Sequence, residues 1–272
     1  MSFIDALGRT HVAVNPAQCP PRIVSLVPSI TELLCDLGLA HWLVGRTGFC
    51  VHPAAVVRQV PKIGGTKDIN IAKIRTLAPT HLIVNMDENE KPTVATLAEF
   101  IPHIIVTHPL APRDNLTLYR LLGSIFCAKE KAEALCTAFE DAYAALAGLR
   151  GRQGQTVLYC IWQDPWMTVS RDTYIARMLA EIGWQQWERT SAVATARYPT
   201  FVWNQDMLQE IDAVLLSSEP YRFTPTHVEA LEKQIGKPVQ LVDGEMLSWY
   251  GSRAIPGLDY LKELALTFNA GG

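Results

Sequence analysis

RIVSLVPSITELLCDLG (22–38) is the stretch that decides the fold. RIVSLV (22–27) is a short, continuous apolar run, the pattern of a strand buried on both faces. After Pro28 the chain reads as a helix: Ser29 is the candidate N-cap, Glu32 stands three residues on as in a capping box, and Gly38 is the stop. A buried strand running straight into a helix opens a βαβ unit.

Downstream the alternation continues. LVGRTGF (43–49), HLIVN (81–85) and HIIVT (103–107) read as strands. KDINIAKIRTLAP (67–79) reads as a helix with Ile71, Ile74 and Leu77 at helical spacing, and KPTVATLAEF (91–100) as another with Pro92 in its first turn. This order predicts a mainly parallel sheet with helices on both faces. Ligands of such sheets bind at the C-terminal strand ends, which here are the loops after Val27, Phe49, Asn85 and Thr107.

Residues 114–150 carry no strand signal. Leu135, Phe139, Tyr143 and Leu146 share one helical face, and Gly123 reads as the join between two helices. The second, Lys129 to Leu149, would be about 30 Å long. Strands and helices then alternate again. TVLYCIW (156–162), DAVLLSS (212–218) and PVQLVD (238–243) are strands; DTYIARMLAEIG (172–183), with Asp172 as N-cap and Gly183 as stop, NQDMLQEI (204–211), THVEALEKQIG (226–236) and IPGLDYLKELALTF (255–268) are helices.

The second series repeats the first. Strand, loop, helix and glycine stop recur in the same order, and aligning Val84 with Leu216 sets Asp87 opposite Glu219, with Glu88 and Glu90 close behind. The expected fold is therefore α/β: two Rossmann-like lobes with mainly parallel sheets, joined by a long linker helix, with a ligand cleft between them. The expected boundaries are an N-terminal extension (1–21), an N-terminal lobe (22–112), linker helices (113–152) and a C-terminal lobe (153–272).

A formal net charge of -3 gives no bulk attraction to nucleic acid or anionic membrane. No segment approaches the roughly 18–20 apolar residues of a membrane helix, so no membrane insertion is expected. The N-terminus has no basic start, and Asp5, Gly8, Arg9, His11 and Asn15 interrupt its apolar residues. The expected location is cytoplasmic for the chain as it begins here, and periplasmic if its N-terminus has been trimmed. The six cysteines include no C-x-x-C pair and read as free thiols, and the chain as a monomer.

Candidate ligand contacts lie in the strand-end loops. Pro28 and Ser29 follow the first strand. FCVHP (49–53) offers Phe49, Cys50 and His52; on an extended chain Cys50 and His52 would lie on one side, as a nucleophile–base pair or two metal ligands, but no third group completes either arrangement. GGTK (64–67), with Thr66 and Lys67, lacks the phosphate-loop pattern and more simply makes a tight turn. Five of the seven tryptophans fall in or beside loops of the second half: Trp162, Trp166, Trp184, Trp187 and Trp249. Trp166, Trp249 and Tyr250 are expected to face the cleft, where flat rings suit a planar or macrocyclic ligand; Trp162 serves ligand or core equally well. Arg197, Tyr198 and Arg253 could hold an anionic group, or the arginines could make salt bridges. Asp164 and Glu245 are the carboxylates of an alternative reading, a cytoplasmic enzyme or cofactor-handling protein using Cys50 and His52. No metal site and no catalytic cofactor is expected.

Taken together, RIVSLVPSITELLCDLG, VGRTGFCVHP, VPKIGGTKDINIAKIRTLAPTHLIVN and the long helix resemble the helical-backbone substrate-binding proteins that serve ABC importers of cobalamin, iron–siderophores and haem. The similarity covers about residues 20–268. WQDPWMTV, DTYI, RYP, SSEPYRF and VDGEMLSWYGSR resemble a cobalamin-binding-like subgroup that often lacks an export signal. The resemblance implies a rigid, non-catalytic binder of a corrinoid or other metal-chelate, with an ABC-transporter permease as its partner. It also implies one docking carboxylate per lobe, in the loops that hold Glu88, Glu90 and Glu219.

Overall fold

The computed structural model describes residues 3–65, 68–149, 154–189 and 196–270. Two compact units divide the chain. The first comprises Met1–Pro109, Arg113–Ala138 and Tyr250–Arg253; the second comprises Leu110–Pro112, Phe139–Trp249 and Ala254–Gly272.

The first unit contains β1 (Phe3–Ile4), β2 (Thr10–His11), β3 (Ile23–Ser25), α1 (Pro28–Asp36), β4 (Leu43–Arg46), α2 (Ala54–Val57), α3 (Ile71–Thr76), β5 (His81–Asn85), α4 (Lys91–Ala98), β6 (His103–Thr107) and α5 (Asp114–Ile125), with the start of α6 (Lys129–Ala144). Its sheet has the order β4-β3-β5-β6 and is parallel throughout. Val24, Leu26, Leu82, Val84, Ile104 and Val106 of this sheet pack with Ile63, Ile74 and Leu97. That contact makes the apolar strand runs and the helical periodicity agree.

Two details differ from the sequence expectations. The start of α1 is not a capping box. Val27 is the N-cap and makes no side-chain cap bond; Pro28, with no N–H to satisfy, occupies the first turn. Glu32 points elsewhere, to Arg253. Gly123 is not a helix join either. It lies inside α5, where an added methyl would overlap the Ala132 side chain, so glycine is there for close helix packing. The chain turns after α5 at Cys127, whose φ is 57°.

The N-terminal residues supply a hairpin, β1 with β2, that closes an open sheet edge. Ala6 N–H donates to Val106 O (3.0 Å), and Val106 N–H donates to Asp5 Oδ2 (3.1 Å). Asp5 also accepts from Leu7 N–H and Arg9 N–H and lies 3.1 Å from His11 Nε2. Edge strands with free N–H and C=O groups invite pairing with other chains, and this carboxylate removes part of that invitation.

His81 begins β5. It stacks on His103 with ring centroids 4.7 Å apart, and Phe126 meets it edge-on at 5.2 Å. Burial lowers its pKa from 6.5 to about 4, and His103 and His11 add to the shift. The folded state therefore prefers the neutral ring. Its contribution is complete above the unfolded pKa of 6.5 and is lost as pH falls toward 4. We expect about 2 kcal/mol of stability to disappear between pH 7 and pH 5 through this residue. Urea unfolding at both pH values, with His81→Phe as the flattened control, measures it.

The second unit contains β7 (Thr156–Trp162), β8 (Met167–Thr168), α7 (Tyr174–Ala180), β9 (Gln185–Gln186), α8 (Gln205–Glu210), β10 (Ala213–Ser217), α9 (Pro225–Ile235), β11 (Val239–Val242), α10 (Gly244–Ser248) and α11 (Ala254–Ala270). β7, β10 and β11 run parallel, and β9 joins β7 in parallel on its other edge, beside the short antiparallel β8. The order β9-β7-β10-β11 repeats β4-β3-β5-β6 of the first unit. Thr173, not Asp172, caps α7, accepting from Ala176 N–H.

The unit boundary falls inside α6, between Ala138 and Phe139. This helix has 16 residues, about 24 Å, and is shorter than expected. Beyond Ala144 the chain tightens into i→i−3 bonds, Leu146 N–H to Tyr143 O and Ala147 N–H to Ala144 O.

Candidate functional site

In each sheet the strand order reverses direction beside its first strand, β3 in one unit and β7 in the other. The loops at the C-terminal ends of β3 and β5, and of β7 and β10, are therefore where ligands are expected.

In the first unit, Phe49 projects from the loop after β4 and is 61% exposed. Cys50 turns inward. Its thiol lies 3.1 Å from Thr31 Oγ1 and 3.2 Å from Thr47 Oγ1, and burial pushes its pKa up. His52 is half-buried. A reactive cysteine needs a lowered pKa, and this one has the opposite environment. No group of three or more His, Cys, Asp or Glu among the described residues is arranged to hold a metal ion. Pro28 is half-buried and Ser29 buried at the start of α1. Gly64 has a φ of 112°, and Gly65 N–H donates to Asp68 O (2.8 Å). Thr66 and Lys67 lie outside the described residues.

The second unit carries the aromatic surface. Trp162, at the end of β7, is 39% exposed and meets Tyr221 edge-on at 5.5 Å. Tyr221 contacts Phe223 (4.6 Å), Phe223 stacks on Trp166 (5.8 Å, 10°), and Trp166 meets Trp203 edge-on (5.4 Å). Phe201 closes the group against Trp203 at 5.1 Å. Offset and edge-on rings hold one another in fixed orientations, so Trp162, the exposed member, is preorganised. Tyr198 and Val202 are exposed on the neighbouring segment. Asp164 is exposed, with φ 59° in the turn that follows Trp162. Phe201, Trp203, Tyr221 and Phe223 were not singled out from the sequence. The signal was present in Tyr221 and Phe223, two residues apart beside Trp162, but only the strand pairing brings β7 and β10 together.

Other expected contacts are engaged within the protein. Arg197 donates to Asp172 O (3.2 Å) and faces the Asp172 carboxylate at 3.7 Å. Arg253 is bound bidentately by Glu32 (2.6 and 2.9 Å). Trp184 packs edge-on against Phe268, and Trp187 donates to Glu210 Oε2. Trp249 and Tyr250, expected to be open to a ligand, are 9% and 6% exposed, because the polar end of each ring is tied to a carboxylate. Trp249 Nε1–H donates to Glu219 Oε1 (2.8 Å) and Tyr250 Oη–H to Glu88 Oε1 (2.6 Å). Glu245 is half-buried in the first turn of α10, and Glu90 is exposed at the start of α4.

Trp166, Phe201, Trp203 and Tyr221 are partly buried against the core of the second unit, and Trp162 is the exposed member of the group. The sequence pattern of the periplasmic binding protein family matches residues 23–214. The chain belongs to that family. Among its relatives is an uncharacterised ABC transporter substrate-binding lipoprotein, YvrC, of Bacillus subtilis (strain 168), 23% identical over 96% of this chain and 84% of the relative. Two solved structures share this fold. The vitamin B12-binding protein BtuF of Vibrio cholerae is 19% identical with a TM-score of 0.72, covering 90% of this chain and 98% of that one. The haem-binding protein RhuT of Roseiflexus sp. RS-1 is 20% identical with a TM-score of 0.71, covering 90% and 99%.

Proposed function

We propose that this chain is a non-catalytic binding protein for a small metal-chelate ligand, with a corrinoid such as cobalamin as the first choice and haem or a ferric siderophore next. The observation that carries the reading is Trp162, exposed at the end of β7 and held edge-on by Tyr221 at the margin of a packed aromatic group. Relatives whose names specify vitamin B12 and haem support this ligand class. An ABC-importer permease is the proposed protein partner, in keeping with the YvrC relative.

Titration with cyanocobalamin, haemin and ferric siderophores, followed by tryptophan fluorescence and calorimetry, tests the ligand class. Saturable binding of one of them at a 1:1 ratio is the expected result; no response to any rejects the class. Trp162→Ala is expected to weaken the ligand that binds about tenfold, since it removes a stacking face worth about 1–2 kcal/mol. The buried Trp187→Phe should change affinity little.

A further inference from the structure

The two acidic loops have a common role that their exposure would not suggest. Glu88 follows β5 and Glu219 follows β10, the matching strands of the repeated sheets. Glu219 Oε1 accepts from Ser248 Oγ (2.9 Å) and Trp249 Nε1 (2.8 Å), all within the second unit. Glu88 Oε1 accepts from Tyr250 Oη, within the first. Trp249 and Tyr250 are consecutive, and the chain passes from one unit to the other between them. We propose that Glu219 and Glu88 are paired catches, each fixing one of the two residues at this crossing, and that the Glu219 catch is let go in acid.

The chemistry favours ionised carboxylates as the catches. A charged acceptor makes hydrogen bonds roughly twice as strong as a neutral one. A protonated Glu219 keeps an acceptor oxygen but loses that added strength. Its surroundings set when this happens. Burial raises its pKa, the two donors pull it down, and the Glu245 and Asp243 carboxylates push it up again. The Tyr159 hydroxyl also senses the Glu219 charge. Around the other catch, Tyr250 is held in its protonated, donating form by burial and by Glu88, with Asp87 adding to the effect. Asp87 itself pairs with His108 at 3.3 Å.

Once let go, residues 248–251 keep fewer anchors. Gly251 N–H still donates to Asn115 Oδ1, and Tyr119 Oη–H to Gly251 O. The segment should therefore loosen locally without unfolding its units.

The indole N–H resonance of Trp249, assigned by its loss in Trp249→Phe, reports on the catch in the full chain. In the wild type it should shift on acidification with a midpoint above the ordinary carboxylate value of 4.5. Glu219→Gln should abolish that titration, while Glu245→Gln should keep it and lower its midpoint. Amide exchange at pH 7 gives the second readout. Glu219→Gln combined with Glu88→Gln should reduce protection at residues 249–251 about tenfold and leave β7 and β5 unchanged. An indole resonance that ignores pH in the wild type, or titrates identically in Glu219→Gln, overturns the proposal. Should the double variant fail to fold, the wild-type titration alone still decides.

Discussion

Arg253→Met is expected to lower stability by about 3 kcal/mol, although Arg253 stands in a loop where a ligand contact is equally reasonable from sequence. The reason is the charge left behind. Arg253 and Glu32 form a two-point ion pair with side chains 13% and 16% exposed. Removing one member of a largely buried pair strands the other in poor solvent, which costs far more than the pair itself contributes. Glu32→Met alone should cost a similar amount. The double variant should recover most of the loss, because two apolar side chains of similar length then pack together. Chemical denaturation of the four proteins completes the cycle. Additive losses in the double variant would mean that the two side chains act separately.

Gly257→Val is expected to be at least as damaging, at about 3 kcal/mol. Gly257 lies in α11, where a Cβ would overlap the carbonyl oxygen of Met246 in α10 and sit 3.1 Å from Met178 Cε. A flexible methionine end can move aside, but the main chain of α10 can yield only if the helix shifts. Overpacking of this kind costs about 1–3 kcal/mol, and a branched side chain against backbone belongs at the upper end. The shift would also disturb Trp249, which follows α10. Near-ultraviolet circular dichroism should therefore change together with the unfolding midpoint. Gly148→Val, in a position with open space around the added atom, is the matched control.

Much of the fold was legible because its strands are buried on both faces. HLIVN, HIIVT and TVLYCIW appear in the structure with the bounds read from the sequence, since a run of apolar residues between polar ends leaves little freedom. Gly38 and Gly183 also stop their segments as expected, each with positive φ. Helix starts were less legible. Ser29 and Asp172 have the right chemistry for caps, but Pro28 and Thr173 set the helix starts instead. The N-terminal hairpin left no periodic trace, as its strands are two residues long and its anchor is one aspartate.

The candidate site was legible in part. Trp162 and Phe49 are exposed at strand ends, where the alternating pattern placed them. Trp249, Tyr250 and Arg253 sit in the expected loop, yet their polar groups are engaged by Glu219, Glu88 and Glu32. Those partners are distant in sequence, and no local pattern announces them. The same applies to Cys50, whose two threonine neighbours come from α1 and from the residue after β4.

The Tyr250–Arg253 insertion into the first unit also bears on the order of events during synthesis. Domains commonly fold as they emerge from the ribosome, N-terminal first, at about 5–20 residues per second. Here Asn115, Tyr119 and Glu32 are made early, but their partners Gly251 and Arg253 emerge 136, 132 and 221 residues later. The first unit can collapse around its sheet before then, yet it gains these bonds only after every strand of the second unit has been made.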